Sequence, residues 1–261
     1  MRKITLMLLS IILFLFGRSQ GVQIDIGTVA IADSMKQNAN SVLRLDEARL
    51  HVISPSKYMM QVHQIATILN SEGSGYLHHS LSFDKFHTIG DISITVYNKL
   101  GLPVKKYSRK DFQVETAFDG FSLATDDKVM RLTTAAPSYP CTVDVQYEVK
   151  VSSYIELPDW YLATGNTSTE LFRYIVSVPA SLDLRYRSDN FDLNPVVTTE
   201  NSNKVYTWEL RNVKAVERPQ AGGFKSSSYM KRIELAPNVF EYDGHQGNFS
   251  SWNEFGKWNY A

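Results

Sequence analysis

The sequence predicts an all-β protein: an antiparallel β-sandwich of roughly a dozen strands, with a short N-terminal helix and a short C-terminal helix. Two observations carry that prediction. From Cys141 to Val151 every odd position is apolar or aromatic (Cys141, Val143, Val145, Tyr147, Val149, Val151), and every even one is polar (Thr142, Asp144, Gln146, Glu148, Lys150). A strand turns successive side chains to opposite faces, so this period of two gives one buried face and one wet face. A sheet solvated on one side is of the antiparallel kind, and its apolar face needs a second layer. The same alternation recurs in several stretches separated by turn residues at sandwich spacing. The 261 residues carry no net charge, at a pI near 7.0. That length suffices for one large all-β domain or two small ones, and the balance gives no electrostatic reason to expect nucleic acid or acidic membranes as partners.

In chain order, residues 1–19 read as a signal peptide. Arg2 and Lys3 precede an apolar run from Ile4 to Phe16, broken only by Thr5 and Ser10, and Gly17-Arg18-Ser19 suits cleavage before Gln20. The run is shorter than the ~20 residues that span a bilayer, so no integral membrane segment is expected after cleavage. No cysteine follows it, which argues against a lipid anchor, and with a single cysteine no intramolecular disulfide is possible. The protein is therefore expected to be exported, to the periplasm or beyond the cell.

Residues 20–245 are assigned to the sandwich. Thr28 is expected to cap a short helix running to Ala39, with Val29, Ala32 and Met35 on one side. Two long β-like runs follow, Ser41 to Ile53 and Lys57 to Leu69, turned by Ser54-Pro55-Ser56. In the first, the apolar parity switches between Leu45 and Ala48, which predicts a bulge near Asp46. Asn70 to Gly75 reads as a loop, Tyr76 to Phe83 and Ile89 to Asn98 as strands, and Lys99-Leu100-Gly101 as the turn of a hairpin into Leu102 to Tyr107. Asp119-Gly120 and Asp126-Asp127 bracket a loop before a strand over Lys128 to Thr134. Pro158 argues for a strand end or an edge. Phe172, Tyr174, Val176 and Val178 share a face; so do Leu182, Leu184 and Tyr186, and Tyr206, Trp208 and Leu210. Gly222-Gly223 is a loop, and Ile233 and Leu235 mark the last predicted strand. The stretch from 180 to 203 is where two sub-sandwiches would divide. In residues 246–261, Ser251 and Glu254 fit a capping box for a C-terminal helix that places Phe255 and Trp258 on one side, rings that are costly to leave exposed together with Trp252.

Residues with chemical potential are few. Cys141 shares parity with the valines, so burial should raise its pKa and leave it inert. No G-x-S-x-G elbow is present, and the Gly73-x-Gly75 pair lacks the third glycine of a phosphate loop. His78 and His79 are adjacent and face opposite ways in a strand; with His87 they make a poor metal set, and no cofactor is expected. Asp126 and Asp127 suit a turn. Glu156 and Asp159 flank Pro158 beside Trp160 and Tyr161, an aromatic patch able to bind glycan or peptide. Asn166-Thr167-Ser168 and Asn248-Phe249-Ser250 match the glycosylation sequon, which matters only in a eukaryotic secretory route.

Five stretches in order resemble a known family: Ala39 to Arg44, Ile68 to Gly73, Ala124 to Asp127, Tyr139 to Val143, and Ser251 to Phe255. The chain resembles the domain of unknown function DUF3857, which sits N-terminal to transglutaminase-like domains in exported proteins of Bacteroidota. In such proteins the segment like Trp252-Asn253-Glu254-Phe255 runs into a transglutaminase-like domain bearing a Cys-His-Asp triad. The family position at Cys141 is usually aromatic, so that cysteine does not carry over as the nucleophile, and the resemblance implies no catalytic residue in this region. The expected function is a non-catalytic exported module that accompanies or presents a transglutaminase-like (papain-like) domain, in the same or a neighbouring chain. The expected means is protein–protein or polymer binding, with Asp126, Asp127, Trp160, Tyr161, Trp252, Phe255 and Trp258 as candidate contacts. The alternative is a stand-alone carbohydrate- or peptide-binding module built around Trp160.

Overall fold

A computed structural model describes residues 24–117, 126–216 and 230–260. The signal peptide, the Asp119-Gly120 turn, Ala124-Thr125 and the Gly222-Gly223 loop lie outside the described residues. After a 3₁₀ turn at Thr28–Ala30 come α1 (Asp33–Lys36), β1 (Ser41–Ser54) and β2 (Lys57–Ile68). A 3₁₀ turn at Ser71–Leu77 leads to β3 (His78–Phe83), β4 (His87–Tyr97) and β5 (Pro103–Ser108). A third, at Arg109–Asp111, precedes β6 (Gln113–Thr116), β7 (Lys128–Thr133), β8 (Cys141–Val151), β9 (Trp160–Tyr161) and β10 (Thr167–Pro179). The chain continues through β11 (Leu184–Asp189), β12 (Val196–Glu200), β13 (Asn203–Val213), β14 (Arg232–Pro237), β15 (Val239–Tyr242), β16 (His245–Asn248) and α2 (Trp252–Asn259).

The fold is all-β. Its frame is one eight-stranded sheet in the order β12-β13-β10-β1-β2-β8-β4-β5. Its pairings are antiparallel except β1–β10, which is parallel; the purely antiparallel expectation is corrected there. A parallel neighbour needs a long crossover, and the chain between β1 and β10 supplies one that builds half of the sheet on its way. β10 ends at Pro179, which pairs with Asn203 of β13, so the chain on either side of residues 180–203 lies in one sheet.

One face of this sheet carries both main apolar clusters. Val62↔Tyr147 and Ile68↔Cys141 in the β2–β8 register put these residues on the same side. At one end Leu50, Phe172, Tyr174, Val176 and Trp208 pack against Ile233 and Leu235 of a small sheet, β11-β14-β9. At the other end Ile94, Val96, Cys141 and Val143 pack against Met130 in a second small sheet, β3-β7-β6.

The opposite face is wet along most of its length but not at the Cys141 end. There the N-terminal segment crosses it: Ile31 and Met35 lie on Val42, and Ile24 and Ile26 on Leu45, Ile65 and Leu171. Thr142 of the predicted polar face is consequently buried, its hydroxyl sharing a 2.9 Å hydrogen bond with that of Thr67.

Several local expectations are revised. The helix expected from Thr28 to Ala39 is a 3₁₀ turn, a break and the four residues of α1. The Thr28 hydroxyl donates to the Lys99 carbonyl at 3.0 Å instead of capping, and Val29 is 88% exposed while Ile31 and Met35 are buried. Docking of a short chain onto a sheet decides its shape, because so short a helix is marginal alone. The parity switch in β1 comes from a register shift between Leu43 and Leu45, slightly earlier than the expected bulge. Beyond Ile233 and Leu235, expected as the last strand, the chain forms a further hairpin, β15–β16.

Candidate functional site

The residues of the C-terminal stretch converge on one aromatic cluster. Phe240 on β15 is fully buried and stands 4.7 Å from Phe249 and 4.9 Å, nearly perpendicular, from Trp258 on α2. Phe255 lies 4.9 Å from Phe249 and stacks on Trp258 at 5.8 Å. Offset and edge-on ring pairs at such spacings add about 0.5–1.5 kcal/mol each beyond burial. Gly247 on β16 makes room for them: a Cβ there would stand 2.4 Å from Phe240 Cζ and 2.9 Å from Trp258 Cδ1. The Trp258 indole N–H donates to the His245 carbonyl at 3.3 Å.

Helix α2 is anchored at its start by the Ser251 hydroxyl, which accepts from the Glu254 N–H at 3.2 Å. The reciprocal half of the expected capping box is replaced by a 2.7 Å pair between Glu254 and Lys257. The hairpin below is tied to the sandwich by the Tyr154–Glu241 bridge and by Glu241 N–H donating to the Pro55 carbonyl at 2.8 Å. What the platform leaves outside is Trp252, 89% exposed beside Phe255, and Tyr260 at the helix end. Phe255 and Trp258 are thus structural supports, and Trp252 is the ring presented to solvent.

Trp160 packs inward on Tyr174 at 6.1 Å within the larger apolar cluster. Tyr161 is 41% exposed, with the Arg232 guanidinium 6.0 Å from its ring. Burial raises the Asp159 carboxyl, partly offset by the Leu235 N–H that donates to it. The two rings therefore face different environments. Asp126 is exposed just before β7; the Asp127 carbonyl accepts from the Ala117 N–H at 2.8 Å, closing the approach to that strand. Neither lies with the aromatic platform.

Cys141 is fully buried, and burial pushes its thiol pKa up. The histidines do not converge as a set. His78 reaches Thr133 at 3.1 Å, and burial pushes His79 down to about 4, keeping its imidazole neutral. His87 bonds Asp84 at 2.8 Å. Burial alone would raise Asp84, but the bonds from His87 and Phe86 hold it below the usual carboxylate range. Among the described residues no group of three or more His, Cys, Asp or Glu is placed to hold a metal ion.

Sequence reasoning missed Asp46. The sequence marks it only as the place of a bulge, yet its carboxyl points into the core, bonded to Gln64 at 2.8 Å, and burial raises it to about 7. The available signal was its place in the alternation: two residues before Ala48, it occupies an apolar position.

Comparison with known proteins adds the following. A family profile described as a domain of unknown function with a solved structure, DUF3857, matches residues 54–217. No curated protein matches. Among solved structures, a "putative protease" from Parabacteroides distasonis is similar with a TM-score of 0.65 at 14% identity, over 77% of this chain and 41% of that one. A mutant M1 zinc metallopeptidase from Deinococcus radiodurans, bound to a Tyr-Ser-Ala substrate, gives a TM-score of 0.37 at 13% identity, over 80% of this chain and 46% of that one. The chain thus spans less than half the length of either structure.

Proposed function

We propose that this chain, which belongs to the DUF3857 family, is an exported, non-catalytic β-rich module that accompanies a transglutaminase-like (papain-like) domain and holds it through the aromatic platform on α2. The observation that carries this reading is Trp252: an indole 89% exposed on a helix whose other rings are anchored. An exposed tryptophan on a rigid support is the kind of residue that dominates binding energy at a protein interface. The length relation to the Parabacteroides distasonis structure supports the idea of a module working beside another domain. Cys141 supports the non-catalytic part, since a nucleophile needs access and a lowered pKa, and this thiol has neither. The glycan- or peptide-binding alternative is less favoured, because Trp160 turns toward Tyr174 instead of offering a flat ring beside Tyr161.

The test is to find the transglutaminase-like domain encoded downstream in frame or in the adjacent reading frame, and to titrate it calorimetrically against residues 20–261. Trp252→Ala should weaken binding by about tenfold or more, whereas Trp160→Phe should leave it unchanged. Absence of such a domain from both frames, or equal affinity for wild type and Trp252→Ala, overturns the reading. Export rests on the Arg2-Lys3 start and the apolar run behind it. Fusing residues 1–30 to a reporter active only outside the cytoplasm should give activity that Leu9→Arg abolishes; a silent wild-type fusion rejects export.

A further inference from the structure

Asp46 stands where a carboxyl should not. It is 2% exposed, on the face of β1 that registers with Phe172 and Gln64. Its partner is a neutral amide: Gln64 Nε2 donates to Asp46 Oδ1 at 2.8 Å. The charged residues nearest in sequence are engaged with other groups, Arg44 with Glu170 at 2.5 Å and Glu47 with Arg49 and Arg173 at 2.7 and 3.0 Å. The titratable groups whose fields it meets from packed elements are the hydroxyls of Tyr76, in the Ser71–Leu77 turn, and Tyr147, on β8; both are pushed above their ordinary pKa, foremost by burial and further by Asp46. Among the described residues no cation balances a carboxylate here: burial and the Gln64 amide are what act on Asp46, and an unpaired buried charge is strongly disfavoured.

Gln64 also lines a small pocket of about 90 Å³ whose other walls include Tyr76, His78, His79, Val143 and Val145. The pocket lies between the turn Ser71–Leu77 with β3 on one side and the large sheet on the other. That turn is closely seated: a Cβ on Gly73 would stand 2.3 Å from the Asn40 carbonyl oxygen.

We propose that Asp46 is a proton switch for this seam. With the carboxyl neutral, its proton on Oδ2 while Oδ1 accepts from Gln64, the turn Ser71–Leu77 and β3 stay closed over the sheet. When the carboxyl ionises, the proton passes to water entering through the Gln64 pocket, and the turn and β3 loosen. The sign follows from linkage. Burial raises Asp46 to about 7, above its ordinary 3.8. The stabilisation is thus complete below the unfolded-chain value and is lost as pH rises toward and through 7.

Hydrogen–deuterium exchange on the full chain at pH 5.5 and 8.5, corrected for intrinsic rate, reads this directly. Peptides covering residues 71–83 should open about tenfold more at the higher pH, while those of β10 and β13 should not change. In Asp46→Asn the difference should vanish. Equal opening at both pH values in the wild type, or the same rise in Asp46→Asn, overturns the proposal. If that variant fails to fold, carbon-13 titration of the Asp46 carboxyl in the wild type decides: a midpoint near 7 supports the switch, and one near 4 refutes it.

Discussion

Single residues here are governed by which face of a strand they occupy. Cys141 and Asp46 sit on the same buried face of the large sheet, in neighbourhoods that disfavour charge. For the thiol, burial means that almost no thiolate is exposed to react at neutral pH. A thiol-specific dye should label native Cys141 slowly and the denatured chain rapidly; prompt labelling of the native protein rejects the inert placement. Cys141→Ala should lower stability by about 1–2 kcal/mol, read as a shift in the urea midpoint without a change in slope. Cys141 was legible from parity alone, since five apolar residues share its alternation. Asp46 was legible only in part: it shares the parity of Ala48, Leu50 and Val52, but the bulge expected at Asp46 itself hid this, and only strand pairing moves the shift back to Leu43/Leu45.

At the scale of elements, long alternating stretches were legible and short ones were not. β8 spans Cys141–Val151, as its eleven-residue pattern predicts. β9, β15 and β16 are two to four residues long, too few for periodicity to separate a strand from a loop. Their pairing is imposed by neighbours: β9 exists because Ile233 and Arg232 lie opposite Trp160 and Tyr161. The same dependence makes the C-terminal platform sensitive at Gly247, where β16 receives α2. Gly247→Ala should cost about 1–3 kcal/mol and disturb the environment of Trp258. A red-shifted tryptophan emission together with lost exchange protection in residues 249–260 would show it; unchanged emission and protection would contradict the packing. Ser251 and Glu254 announced the helix start from sequence, although Glu254 turns to Lys257. Which of the aromatic residues would be supports and which would stay exposed depended on a hairpin that the sequence did not reveal.

At the scale of the whole fold, among the described residues, one continuous eight-stranded sheet backs the two main apolar clusters, each capped by its own three-stranded sheet. Tyr147 and Val149 touch both clusters, so the two halves are joined through β8 as well as through the sheet itself. The Asp46–Gln64 pair and its pocket lie on this same face, where the turn Ser71–Leu77 meets the sheet. The aromatic platform belongs to the opposite end of the chain and packs on the cluster around Phe240.

From its amino-acid order alone this protein was committed to being all-β, to keeping its thiol in a core strand and to starting a helix at Ser251, because alternation and capping act between residues close in the chain. Tertiary structure decided the parallel pairing of β1 with β10, the burial of Thr142 under the N-terminal segment, the inward turn of Trp160 and the placement of Asp46. Each of these depends on contacts between segments tens of residues apart or more, and the free energy of such contacts is set by what the fold brings alongside, which no local pattern encodes.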